Sequence, residues 1–171
     1  DFLRVSLDAL KKEMETDYPD IIAILGNDDP AITIPMFREL GEHGFLKYLE
    51  NSVITVRGIQ TAGYPFVPPT PFMLKDWEKY DVSRYVPRES VSPEEGIRTV
   101  DVPENIRRYS TIAFDLNVLS REITDFSRSV FLFHSPPFET NLDKMIGRDI
   151  TGNKVLVSTG SIAIRRFIEK Y

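Results

Sequence analysis

Two short apolar runs, IIAIL over residues 21–25 and SVFLF over Ser129–Phe133, each stop abruptly at polar residues. Four or five apolar residues without interruption leave no side for water, and the length suits a strand better than a helix. Each run therefore predicts a strand inside a sheet covered on both faces. The first passes into Gly26-Asn27-Asp28-Asp29-Pro30, the second into His134-Ser135-Pro136-Pro137. In open α/β sheets ligands bind beyond the carboxyl ends of strands, so Asn27, Asp28, Asp29 and His134 are candidates to converge. Amide oxygen, carboxylate and neutral imidazole together suit manganese, iron, zinc or similar ions. Gly26 allows a sharp turn and a close backbone approach. Asn-Asp-Asp-Pro is equally a good turn sequence, because Asn and Asp bond to nearby backbone. A lone strand-end histidine is, by the same standard, often just a satisfied polar residue.

The elements around these runs read as one α/β domain. Leu3, Leu7, Leu10 and Met14 share a helical face, and the helix breaks at Asp17-Tyr18-Pro19-Asp20. One or two short helices are expected over 34–50, interrupted at Gly41 and Gly44, and a strand over 52–59. A proline-rich excursion then runs over about 63–108, with PFVPPTPF its densest part and one helix expected near 75–80. Long segments of this sort are often functional covers. A helical pattern resumes over 110–123, a short extended piece comes at 154–159, and GSIAIRRFIEKY predicts a last helix with Ile164, Phe167 and Ile168 on one face. The excursion cations Lys75, Arg84, Arg88, Arg98, Arg107 and Arg108 read first as a solvated surface, and secondarily as groups that could meet a substrate phosphate. His43, between two glycine-flanked segments, reads as a solvated loop residue.

Composition narrows the function classes. The net charge is −5 over 171 residues, so there is no overall pull toward nucleic-acid backbones. The chain has no cysteine, which excludes disulfides and zinc–thiolate sites and suits a reducing cytoplasm. No apolar run approaches the roughly 18 residues a membrane span needs, and no signal-peptide pattern opens the chain.

Taken in order, GNDDP, FLFHSPP with its flank FETNLD, and GSIAIRRFIEKY resemble the calcineurin-like metallophosphoesterase superfamily. The likeness is to its bacterial and archaeal branch related to the Icc phosphoesterases, and it covers nearly the whole chain. That superfamily is marked by D-x-H, G-D-x-x-D, G-N-H-[DE], a lone H and G-H-x-H. Gly26-Asn27-Asp28-Asp29 matches the third motif and His134 the fourth. The resemblance implies a sandwich of β-sheets flanked by helices, two divalent metal ions, and hydrolysis of a small phosphoester. It implies Asn27 and His134 as metal ligands. Where the family places a histidine that helps the leaving group, this chain has Asp28, which would take that catalytic role. An ordinary aspartate, with a pKa of about 3.9, is ionised at neutral pH, so the role would call for burial or a carboxylate neighbour.

D-x-H, G-D-x-x-D and G-H-x-H are not found in the chain. Its opening without an initiator methionine and its uncapped last helix suggest a single domain cut at both ends. The expectation is therefore a phosphoesterase whose remaining ligands lie in flanking sequence, these 171 residues alone being inactive. A non-catalytic module that binds protein or nucleotide on the same fold is the alternative.

Overall fold

In the computed structural model, which describes residues 2–148 and 151–171, the first amphipathic stretch is helix α1 (Phe2–Met14). Its Leu7 is buried with Leu40, Phe45 and Leu46. Those three belong to helix α2 (Ile34–Glu42) and the turn at its end. Gly44, at φ +68°, closes α2. The amide of Phe45 donates back to the Leu40 carbonyl and that of Gly44 to Gly41, the paired bonds by which a glycine in left-handed conformation ends a helix. Lys11 Nζ adds bonds to the carbonyls of His43 and Gly44. Beyond Gly44 the chain enters a strand, where a second short helix was an open possibility.

That strand, β2 (Lys47–Tyr48), pairs in parallel with β1 (Ile22–Ala23), Ile22 opposite Lys47 and Ala23 opposite Tyr48. The IIAIL run thus gives only two residues to a ladder. The strand expected over 52–59 is the start of a hairpin, β3 (Ser52–Val56) and β4 (Ile59–Tyr64). Arg57 and Gly58 both have positive φ (48° and 79°), the two-residue turn whose twist matches that of its strands. Strand β5 (Ser129–Phe133) lies parallel to β4 on its other side, giving the order β3-β4-β5.

One face of this sheet is covered by α4 (Ile112–Leu119) and α5 (Ile162–Lys170). Ile112, Leu116 and Leu119 meet Ala163, Ile164 and Phe167 over Ala62 and Tyr64 of β4. Phe131 and Phe133 of β5 both pack edge-on to Phe167. Thr111 and Ser161 cap the two helices, accepting from the amides of Phe114 and Ile164. The helix expected over 110–123 is shorter because Thr111 sets its start and the chain turns at Ser120, while Ile123 returns to the same core. Strands β6 (Lys144–Arg148) and β7 (Lys154–Ser158) form a separate hairpin, of which only the second was expected. The whole is a mixed α/β arrangement of small sheets and helices. Among the described residues no helix is long and apolar enough to cross a membrane.

The excursion departs most from expectation. Residues 75–80 are not helical: Glu78 bridges to Val67, Leu74 pairs with Ile97, and the helix that the segment does contain is α3 (Glu104–Tyr109). The cause is buried charge. Lys75 and Glu78 are both fully buried and paired at 2.6 Å. Glu78 also accepts from the amide and hydroxyl of Thr70. Asp76, 6% exposed, accepts from the amides of Ala31 and Thr99 and from the Thr99 hydroxyl. The long-range bonds of Asp76 to Ala31 and Thr99 outweigh local helix propensity, which is worth only tenths of a kcal/mol per residue.

Removing one partner of a buried pair strands the other without compensation. Glu78→Ala should therefore lower unfolding stability by about 3–5 kcal/mol, and Lys75→Met with Glu78→Leu should recover most of that loss. Urea unfolding of the two variants checks both statements.

Candidate functional site

The residues just past β1 form a tight turn. The Asp29 amide donates to the Gly26 carbonyl at 2.9 Å, and the Gly26 amide returns the bond to the Asp29 carboxylate at 2.8 Å. The indole N–H of Trp77 donates to the Asp29 carbonyl at 2.7 Å, tying the turn to the excursion. Asp29 is thereby committed to the backbone. Asn27 and Asp28 form the tip, Asn27 half-buried and Asp28 exposed.

Past β5, the His134 amide donates to the Tyr64 carbonyl at 3.2 Å, extending the β4–β5 ladder by one residue. The chain beyond it is held from the far side. Ser161, capping α5, donates its amide to the Pro136 carbonyl at 2.8 Å and accepts from the Phe138 amide at 3.0 Å. Gly160 makes this possible, since a Cβ there would stand 2.5 Å from the Pro136 oxygen. Asp143 completes the anchor, its buried carboxylate accepting from the amides of Glu139, Thr140 and Gly160. Burial opposes its charge, yet the amides of Glu139, Gly160 and Thr140, with Lys144, hold the Asp143 carboxyl below the usual range.

These two anchored ends meet. His134 Nε2 lies 2.7 Å from Asn27 Oδ1. Since an amide oxygen only accepts, the imidazole carries its proton on Nε2 in this arrangement. The ring lies over Gly26, where a Cβ would come within 2.2 Å of Cε1 and 2.4 Å of both ring nitrogens. An exposed hydrogen bond contributes about 0.5–1.5 kcal/mol net, too little to order two loops by itself. The scaffold imposes the meeting, and the bond results from it.

Of the sequence candidates, Asn27 and His134 are thus brought together. Asp28 sits beside Asn27 in the chain but faces solvent, with no hydrogen bond or ion pair to the described residues. His43 is remote, at the end of α2, its Nδ1 2.8 Å from the Glu39 carbonyl oxygen and its ring stacked on Phe45. Among the described residues no three His, Asp or Glu side chains gather as a metal-holding group. Most of the excursion cations have partners. Lys75 is matched by Glu78, while Arg84 and Arg108 share Glu94, whose carboxyl is held down at about 2, first by the Tyr80 hydroxyl and then by both arginines. Arg98 and Arg107 are different, being turned inward. Sequence reasoning grouped them with the surface cations, and nothing local in the sequence distinguishes them.

Gly26→Ala should push the His134 ring off the Asn27 amide and cost about 1–3 kcal/mol through overpacking. The checks are the urea midpoint and the imidazole proton resonances of His134, which should move while those of His43 stay put.

Comparison of the chain with protein-family models, with curated proteins and with solved structures finds no match in any of the three. What the strand-end pair does must be argued from its own chemistry.

Proposed function

We propose that the chain belongs to a metallophosphoesterase-type sandwich whose parent protein hydrolyses small phosphoesters at a two-metal site. The observation that carries this reading is the 2.7 Å approach of Asn27 Oδ1 and His134 Nε2 beyond two strand ends. Two donors about 2.1 Å from one ion stand roughly 3 Å apart, so the pair needs little movement to share one. Both are donors of the kind that manganese, iron and zinc accept. The fit is partial, since two donors do not complete a shell, and the remaining ligands would come from D-x-H, G-D-x-x-D and G-H-x-H motifs in flanking sequence.

A bound metal pair would supply Lewis-acid charge for the phosphoryl oxygens and a strong nucleophile at neutral pH. The chain's own residues do the rest. Asn27 offers an oxygen that needs no deprotonation. His134 would ligate through a ring nitrogen that carries no proton, so the proton it now donates from Nε2 would sit on Nδ1 once Nε2 holds the ion. Asp28, at the exposed tip beside Asn27, is the candidate to meet the leaving group, but without the burial that the acid role calls for. The alternative is a non-catalytic binding module, for which the Asn27–His134 hydrogen bond is the end state and not a site awaiting an ion.

Manganese-dependent turnover of p-nitrophenyl phosphate by the complete polypeptide separates the two. His134→Ala should lower turnover by more than the roughly 10–100-fold typical of losing a residue that merely supports a ligand. Its circular dichroism and melting should stay near those of the parent, because the side chain is exposed. Turnover that does not change on this replacement would sink the ligand role, and absence of any turnover with every motif intact would favour the binding module.

Asp28→His tests the leaving-group role separately. It should raise the rate on alkyl phosphates relative to p-nitrophenyl esters, since only the poor leaving group needs a proton. The ratio of the two rates is the measurement, and an unmoved ratio would remove Asp28 from the chemistry.

A further inference from the structure

A second site adjoins the turn that follows β1, in a partly open cavity of about 140 Å³ between the start of α2, the excursion and α3. Its walls include Ala31, Phe66, Trp77, Arg98 and Arg107. The Nε atoms of both arginines are fully buried, and neither has a hydrogen-bond partner among the described residues. Arg98 is held from behind, its terminal nitrogens donating to the carbonyls of Asp76, Glu78 and Pro93 at 3.2–3.4 Å. The two guanidinium groups also feel each other. Burial lowers the Arg98 pKa, Asp76 pulls it back up, and the Arg107 charge lowers it again.

The charges around the cavity do not balance. Glu78 is matched by Lys75, Lys79 by Asp115 at 2.5 Å, and Glu50 by Arg38 at 3.2 Å. Asp76 alone then faces two arginines, and its oxygens are already taken by Ala31 and Thr99. One positive charge is left over. A buried donor without an acceptor costs about 1–3 kcal/mol, and more when charged. Two such donors side by side are the kind of exception that calls for an ion.

We infer that this cavity binds a small tetrahedral oxyanion, inorganic phosphate in the first instance, between the guanidinium groups of Arg98 and Arg107. Guanidinium nitrogens match the spacing of phosphate oxygens and are the usual choice for them. The volume equals that of about four or five waters and falls below the roughly 300 Å³ at which sites for drug-sized ligands begin. That size selects the bare anion over a nucleotide. The inference does not depend on the metal reading of Asn27 and His134.

Trp77, the chain's one tryptophan, lines the cavity and reports on it directly. Inorganic phosphate titrated into the full chain at constant ionic strength should give a saturable change in Trp77 emission, with no such change for chloride. Arg107→Gln should weaken that binding at least tenfold, whereas Arg88→Gln, at an exposed cation of the excursion, should leave it unaltered. A response that chloride reproduces, equal affinity in Arg107→Gln, or loss of binding in Arg88→Gln would each overturn the assignment. Should Arg107→Gln fail to fold, the melting temperature of the parent decides. A rise with phosphate beyond that with equal chloride supports the site, and no difference refutes it.

Discussion

The close packing of the Leu49 and Ile24 side chains on the bare backbone of Gly63 governs the rest of the structure. A Cβ on that residue of β4 would stand 2.4 Å from the Leu49 Cβ and 2.8 Å from the Ile24 methyl. No side chain larger than hydrogen fits between them. Because the space is free, the end of β1 settles on the middle of the three-stranded sheet. Tyr64, the next residue, accepts the amide of His134. The strand end that carries Asn27 and the one that carries His134 are therefore referred to the same two residues of β4. Gly26 repeats the device one layer further out, where the space left by its missing Cβ is filled by the imidazole ring. The site is defined by two absences of side chain as much as by the groups that line it.

The excursion is built on a different principle. Residues 65–100 contribute few large apolar groups to the interior beyond Val67, Trp77 and Tyr80, so hydrophobic burial alone does little to order them. Their order comes from polar groups that cannot remain buried unless each finds its partner. Lys75 and Glu78 pair with each other, and the remaining partners of Asp76 and Glu78 lie at Ala31, Thr70 and Thr99. Such a network makes a weak contribution to net stability and a strong one to uniqueness of conformation, because any rearrangement leaves a charge alone.

The parts legible in the sequence were those whose signal is local. An apolar run ending in a polar cluster announced both strand ends, and helices α1, α4 and α5 were readable from apolar spacing. The meeting of Asn27 with His134 was anticipated from ligand sites beyond strand ends in α/β sheets, although β1 and β5 belong to separate sheets. What escaped were features set by distant partners. The Arg57-Gly58 turn hid a hairpin inside what read as one strand. The helix expected near 75–80 failed because Asp76 is bonded to Ala31 and Thr99, residues that no window around it contains. Asp28 and Asp29 look interchangeable in the sequence; only the turn geometry commits one to the Gly26 amide and leaves the other in solvent. Arg98 and Arg107 could not be told from Arg84 and Arg108, because burial is decided by what packs above them.

Asp81 couples two regions that the chain order keeps apart. Its carboxylate accepts from the amides of Ile162 and Ala163 and from the Ser161 hydroxyl. The first amides of any helix lack partners within it, so an excursion residue supplies what α5 needs at its start. Neither piece can open alone without exposing the other's unpaired groups. The excursion and the last helix consequently form one cooperative unit of local unfolding. The exchange rates of the Ile162 and Ala163 amides are set by the free energy at which a loop some eighty positions earlier lets go.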